Sequence, residues 1–436
     1  MGYPTHDTTT GLRVLSETPF NAEPPCLVEL TKHTITPSHL MYARNHSDKQ
    51  DELNDSDGDE KVVKVTRKEA TFTVKDLMTK YPKKEVVATL ICAGNRRAKM
   101  AQKTCKPVEG IKWGEGAISN VRWGGVRLRD ILLDLEVSET IGLGENATKG
   151  SECEEDVKSE GRGQWHVSFA SHVAPCEQDS YYGGSIPLEK ALDEEGDVIL
   201  AYEMNNVPLT PGHGYPLRVV VPGYSGMRWV KWVDRITVSR RESGNFYQQK
   251  DYKMLPECVT SKAIAESGGW WNRVPAMQAL PLNSVVAKVE CASVSLPPTL
   301  TQTNTYPDED LAHHVKNLAL DKDSSCIEAN DNLKVRIRAT GYAYSHSRIS
   351  RVELSADEGT SWVSAKITYQ EGRWSWALWE GFVDVRHGLG YDVGVKRGVT
   401  VMSRAYDETG RIQDTNCAWN LRGVGFCGAG EGTVVI

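Results

Sequence analysis

The chain has 436 residues, 39% of them hydrophobic and 25% charged, a globular composition long enough for two or three hydrophobic cores. Its 58 acidic against 51 basic residues leave a formal charge of −7, which argues against general nucleic-acid binding. No apolar run approaches the ~18 residues that a membrane-crossing helix needs.

The ten cysteines contain no Cys-x-x-Cys pair, which excludes a zinc ribbon and that class of redox dithiol. The opening Met1 to Leu12 lacks the charged and apolar regions of a secretory signal, and His6 breaks the myristoylation pattern. A soluble intracellular protein is expected, with cytoplasm, mitochondrion and peroxisome all open.

In chain order, Asp51 to Glu60 forms the first acidic run, read as a solvated loop. Val86 to Ile91 is a continuous apolar run of the kind a buried strand shows, and it ends at Cys92. Leu128, Ile131, Leu132 and Leu135 then recur at helical spacing, before a second acidic loop at Glu152 to Glu160. Ser185 and Pro187 suggest a helix start, while Val198 to Met204, Leu217 to Val221 and Val230 to Val238 read as strands.

Beyond Pro281 helix signals cease. Val335, Ile337 and Ala339 alternate, and Val352 and Leu354 lead through Asp357-Glu358-Gly359 toward Trp362, which is hairpin patterning. An α+β chain follows: a mixed α/β domain over 1–281, then an immunoglobulin-like β-sandwich over 282–436, with the polar stretch Gln302 to Asn332 looping out. The glycine-rich Gly425 to Gly432 predicts a poor final strand.

A lone cysteine after an apolar strand is usually a core residue. Cys92, however, opens Cys-Ala-Gly-Asn-Arg-Arg, where Gly94 would permit an unusual turn. Arg96 and Arg97 would bring positive charge to the sulfur and favour the thiolate that a metal requires.

Cys92 to Arg97, with Gly116-Ala-Ile-Ser119, Arg122-Trp-Gly-Gly125, Tyr182-Gly-Gly-Ser-Ile-Pro187, Ala201-Tyr-Glu-Met-Asn205, His213 to Gly223 and Val230-Lys-Trp232, resembles the molybdenum domain of the eukaryotic sulfite oxidase family. Gly341-Tyr-Ala-Tyr344 and Trp419-Asn-Leu-Arg-Gly423 look like that family's dimerisation domain, so the resemblance spans nearly the whole chain. It implies a molybdenum–molybdopterin cofactor with Cys92 as the protein ligand to the metal. Tyr182, His46, His213, Arg218 and Lys231 match positions that hold the cofactor and its phosphate. Arg44, Arg97 and Arg422 match anion-binding arginines, with Trp113 and Tyr252 lining the pocket, and Tyr252, Arg97 and Arg44 nearest the chemistry.

The implied reaction is oxidation of sulfite to sulfate by oxygen-atom transfer, in a homodimer that passes electrons to dioxygen or cytochrome c. Neither the haem motif of a cytochrome b5 domain nor a flavin domain is visible, so no haem and no FAD are expected. Nitrate reductases share the cysteine motif, but typically carry Asn and Met where this chain has Tyr252 and Arg422; an extra guanidinium suits sulfite. A reductase of nitrate, another oxyanion or an S-oxide is the rival enzyme, and a non-catalytic molybdopterin-binding protein the rival of another class. Glu109, where relatives usually have a basic residue, and the acidic stretch after His46 would weaken anion attraction.

Overall fold

Among the described residues, two five-stranded sheets, a short hairpin and one seven-stranded sheet carry the fold. The computed structural model describes residues 11–47, 62–66, 70–137, 164–295, 332–388 and 398–436. Both acidic runs, and the polar segment expected to loop out before Asn332, lie outside the described residues.

The first sheet is antiparallel, in the order Val207–Pro208, Ile199–Met204, Ile118–Arg127, Lys83–Ile91, with Arg218–Val220 also paired to Ile199–Met204. Val86 to Ile91 are buried without alternation, because both faces of this strand are covered. The second sheet runs Ala70–Thr73, Val62–Thr66, Arg235–Ser239, His166–Ser171, Tyr182–Pro187, with one parallel pair, Val62–Thr66 on Arg235–Ser239. Leu128, Ile131 and Leu132 are fully buried and drive the helix Leu128–Asp134, which Leu135 caps.

Two elements differ from expectation. Ser185 and Pro187 lie in the strand Tyr182–Pro187, and the helix starts only at Leu188, just after the proline. The Val230 to Val238 run becomes a strand only from Arg235, in Arg235–Ser239, since Trp232 takes a φ of 53° that interrupts extended backbone.

The β-rich domain is one antiparallel path: Asn283–Ser295, Asn332–Tyr344, Ala377–Gly388, Val363–Tyr369, Ile349–Ser355, Gly398–Asp407, Gly430–Val435. The path curls until its first and last strands meet, so the expected two layers are continuous with each other. Val335, Ile337 and Ala339 point into its core, and Glu358 (φ 58°) and Gly359 (φ 86°) make the turn before Val363–Tyr369.

The glycine-rich end does form a strand, and closure is the reason. A Cβ on Gly430 would sit 2.4 Å from Ser403 Oγ and 2.7 Å from the Ser284 carbonyl, and one on Gly432 would sit 2.5 Å from Val289. Glycine is demanded there by close approach.

The two domains share a third core, in which Ile91 and Ile118 meet Val285, Tyr342 and Trp376. Arg96, fully buried, adds a polar weld: its guanidinium donates to Asn283 Oδ1 and the Gly428 carbonyl, both at 2.6 Å, and to the Ala429 carbonyl at 2.9 Å. Among the described residues, no helix is long and apolar enough to cross a membrane.

Overpacking typically costs about 1–3 kcal/mol, so Gly430→Ala should lower the urea midpoint of unfolding by that equivalent. An unchanged midpoint would show that the last strand does not close the barrel.

Candidate active site

At the end of the strand Lys83–Ile91 the chain turns through Cys92 into the helix Arg97–Thr104. The turn works differently from the sequence expectation. The left-handed residue is Arg96, at φ 66°, and Gly94 serves another purpose. A Cβ on Gly94 would lie 2.6 Å from Arg97 Cζ, one on Gly110 2.9 Å from Arg97 Nη1 and one on Gly423 2.7 Å from Arg97 Cγ. Three glycines thus cage one guanidinium. Arg97 donates to the Ile111 carbonyl at 2.7 Å and from Nε to the carbonyls of Arg422 and Gly423 at 3.0 and 3.2 Å.

The expected thiolate is also corrected. Burial pushes the Cys92 thiol up, outweighing the opposing pull of Arg97, Arg44 and the Gly94 backbone. Arg96 is spent on the domain junction. Deprotonation of this sulfur therefore belongs with metal binding rather than with its resting state.

Cys92 lies in the wall between two cavities. The first is lined by Tyr42, Arg44, His46, Cys92, Tyr182, His213, Met227, Trp229, Trp232, Tyr252, Arg218 and Lys231, among others. No aspartate or glutamate lines it among the described residues. Arg218 is 2% exposed and donates to the His213 and Trp229 carbonyls at 2.9 and 3.2 Å; its buried Nε has no protein acceptor. Burial holds this guanidinium down to about 10, so it stays charged near neutrality. Lys231 donates to the carbonyls of Gly212 at 2.8 Å and Arg44 at 3.2 Å, and to Asn45 Oδ1. A buried guanidinium such as Arg218, held by carbonyls instead of carboxylates, keeps its net charge for an anion.

The second cavity shares Arg44, His46, Cys92 and Tyr252 with the first and adds Arg97, Trp113, Tyr247, Asp251 and Arg422. All eleven site residues expected from the sequence therefore line one or both of two adjoining cavities: Arg44, His46, Cys92, Arg97, Trp113, Tyr182, His213, Arg218, Lys231, Tyr252 and Arg422.

His46 connects the two spaces. Its ring stacks on Tyr182 at 5.0 Å and packs against Tyr247 at 4.3 Å, and burial followed by Arg44 and Lys231 holds its pKa well below the usual range. Arg44 Nη2 lies 3.1 Å from His46 Nδ1, and a guanidinium can only donate. Nδ1 is then the acceptor, so the ring proton sits on Nε2 and is donated to Tyr252 Oη at 2.9 Å. The phenol's own O–H is left to donate elsewhere in the cavity. Burial keeps that phenol protonated at neutral pH. Trp113 contributes a second neutral donor, fully buried, whose Nε1 has no protein acceptor.

Several positioning groups were missed in the sequence. Asn21 Oδ1, from the hairpin Arg13–Glu17 and Phe20–Glu23, accepts from Arg44 at 3.1 Å and from the Asn45 backbone at 2.9 Å. Arg422, unlike Arg97 and Arg218, is held by carboxylates: Glu109 Oε2 at 3.0 Å and Asp251 Oδ1. Nothing local in the sequence links Glu109 to a residue 313 positions away.

The family model "Oxidoreductase molybdopterin binding domain" matches residues 59–247, and "Mo-co oxidoreductase dimerisation domain" matches 316–426. The chain is 34% identical to sulfite oxidase of Gallus gallus over 422 residues, 95% of this chain and 76% of that protein. It is 33% identical to sulfite oxidase of Arabidopsis thaliana over 430 residues, 95% and 91% of the two chains. Nitrate reductase [NADH] 1 of Arabidopsis thaliana is 33% identical over 424 residues, but only 39% of its length is covered. In structure, the chain resembles the sulfane dehydrogenase SoxCD of Paracoccus pantotrophus, with a TM-score of 0.64 at 22% identity over 99% of this chain and 90% of that one. That likeness concerns the fold.

A molybdopterin suits the first cavity. Its indoles and Met227 can face a ring system, Arg218 and Lys231 can meet a phosphate, and Cys92 opens onto the same space. Arg218→Met should purify folded, with wild-type circular dichroism, but with much less pterin by fluorescence after oxidative release. Wild-type pterin content would remove Arg218 from the cofactor site.

Proposed function

The chain belongs to the sulfite oxidase family of molybdopterin-binding oxidoreductases, and we propose that it oxidises sulfite to sulfate, passing electrons to dioxygen or to a separate carrier such as cytochrome c. The observation that carries this reading is Cys92 in the wall common to a cationic cavity, with no carboxylate among its described lining residues, and a cavity lined by three arginines. The first would hold the cofactor through His46, Tyr182, His213, Arg218 and Lys231, and the second would hold the anion. Residues 1–281 serve as the cofactor domain and 282–436 as the dimerisation domain of a two-fold homodimer.

When bound, the molybdopterin supplies two-electron oxygen-atom-transfer chemistry, with Cys92 as the protein's ligand to its metal. The chain itself binds and orients. Arg44, Arg97 and Arg422 offer planar donor forks to a compact oxyanion. Tyr252, its oxygen already accepting from His46, donates its O–H toward the anion, and Trp113 Nε1 offers another hydrogen bond. Such fixed donors act most strongly in a buried site, where water does not compete.

Charge decides between sulfite and nitrate. Near neutral pH sulfite is a mono- or dianion and nitrate a monoanion, so a third guanidinium favours sulfite. Here that guanidinium is partly neutralised, since Glu109 and Asp251 both engage Arg422. The predicted result is a working site with moderated affinity.

Kinetics with sulfite and nitrate test this on metal-quantified enzyme. Arg422→Met should raise the Michaelis constant for sulfite about tenfold to hundredfold. Glu109→Gln should lower it about threefold to tenfold, as expected for removing one charge near a partly screened anion. Faster nitrate reduction than sulfite oxidation in the wild type, or an unchanged sulfite constant in Arg422→Met, would overturn the substrate assignment.

A further inference from the structure

The segment that brings Arg422 to the anion cavity begins and ends with a cysteine. Cys417 Sγ and Cys427 Sγ lie 3.4 Å apart, with the Cys427 thiol donating to Cys417, and the Cys427 backbone N–H donates to the same sulfur at 3.2 Å. Both side chains are half-buried and both thiols are free. Neither belongs to the cofactor or anion walls.

What lies between them is tied to the site at several points. Asn420 closes its turn, accepting from the Val424 N–H at 3.1 Å and donating to the Val424 carbonyl at 2.9 Å. The Arg422 and Gly423 carbonyls hold Arg97, and the Gly425 N–H donates to the Ala93 carbonyl at 2.8 Å, one residue from Cys92. A shift at the two ends of this loop therefore reaches two of the three anion-cavity arginines.

We propose that Cys417 and Cys427 are a redox-active pair whose reversible disulfide clamps the Arg422 loop and lowers the affinity of the cavity for its oxyanion. The second half of the proposal rests on the anion-site reading given above. The sulfurs must close from 3.4 Å to about 2.05 Å, which pulls the loop ends together and moves Arg422 relative to Glu109 and Asp251. The chemistry also has a direction. The hydrogen bond from the Cys427 thiol, with the backbone N–H groups of Cys427 and Gly428, lowers Cys417 to about 7, so a large fraction is thiolate near neutrality. The same bond raises Cys427, which remains the thiol until attack.

The oxidant is a low-molecular-weight disulfide. Cys417 thiolate attacks one of its sulfurs, forming a mixed disulfide and releasing one small thiolate, which takes up a proton. Cys427 then loses its proton and attacks Cys417 Sγ, releasing the second small thiol. Two protein thiols become one disulfide, and the small disulfide becomes two thiols.

The test equilibrates holoenzyme in glutathione buffers from fully reduced to fully oxidised. Remaining thiols are then alkylated and mapped by mass spectrometry, and sulfate binding is measured by calorimetry. Sulfate replaces sulfite because sulfite is a sulfur nucleophile that cleaves disulfides itself. The expected result is loss of alkylation at Cys417 and Cys427 together, in one cross-linked peptide restored by dithiothreitol. The sulfate dissociation constant should rise at least threefold on oxidation. In Cys417→Ser and Cys427→Ser it should not respond to the buffer. Continued alkylation of both cysteines in the most oxidising buffer, or separate glutathione adducts on each, would overturn the pair. A disulfide that leaves the sulfate constant unchanged would overturn the clamp. Absence of sulfate binding by the reduced wild type would also overturn the clamp, and would mark failure of the anion-site reading, since thiol mapping does not depend on the anion.

Discussion

Burying positive charge without burying negative charge beside it is the constraint around which the site is built. Arg97 and Arg218 are satisfied by backbone carbonyls: Ile111, Arg422 and Gly423 for the first, His213 and Trp229 for the second. A carbonyl answers the hydrogen-bonding need of a buried donor without cancelling its charge. The field that remains is available to anions alone. Arg422 is the exception, because two carboxylates hold it, and it is also the arginine nearest the glycine-rich end of the chain.

Presenting carbonyls to a buried guanidinium requires backbone to approach from several directions, and this explains features remote from the chemistry. Gly94, Gly110 and Gly423 come from three segments, and each leaves no room for a Cβ beside Arg97. Arg96 turns away from the sulfur and ties the loop to Asn283, Gly428 and Ala429 of the β-rich domain. The second domain thus braces the first at the very turn that carries Cys92. Closure of its barrel by Gly430–Val435 supports that brace.

The strand Lys83–Ile91, the helix at Leu128 and the hairpin through Gly359 were legible because periodicity and turn chemistry are local signals. Cys92 and its neighbours were legible as a motif, and the convergence of Arg44 with Arg422 came only from family resemblance. Local reasoning failed where distance or burial decides. Asn21 and Glu109 act on residues far away in sequence, and the thiol of Cys92 rises because its environment is dry, which no neighbouring residue reveals. Gly94 was read as a turn residue although its function is to admit Arg97, and the final glycines as a weak strand although they permit barrel closure.

The central claim is that Cys92 joins the protein to the metal at the boundary between a cofactor cavity and an anion cavity. X-ray absorption at the molybdenum edge of holoenzyme, compared with metal-loaded Cys92→Ser, tests it most directly. The wild-type spectrum should require one more sulfur neighbour than the variant, with the two proteins matched in pterin content. Equal sulfur coordination in both would contradict the account, whatever their relative activities.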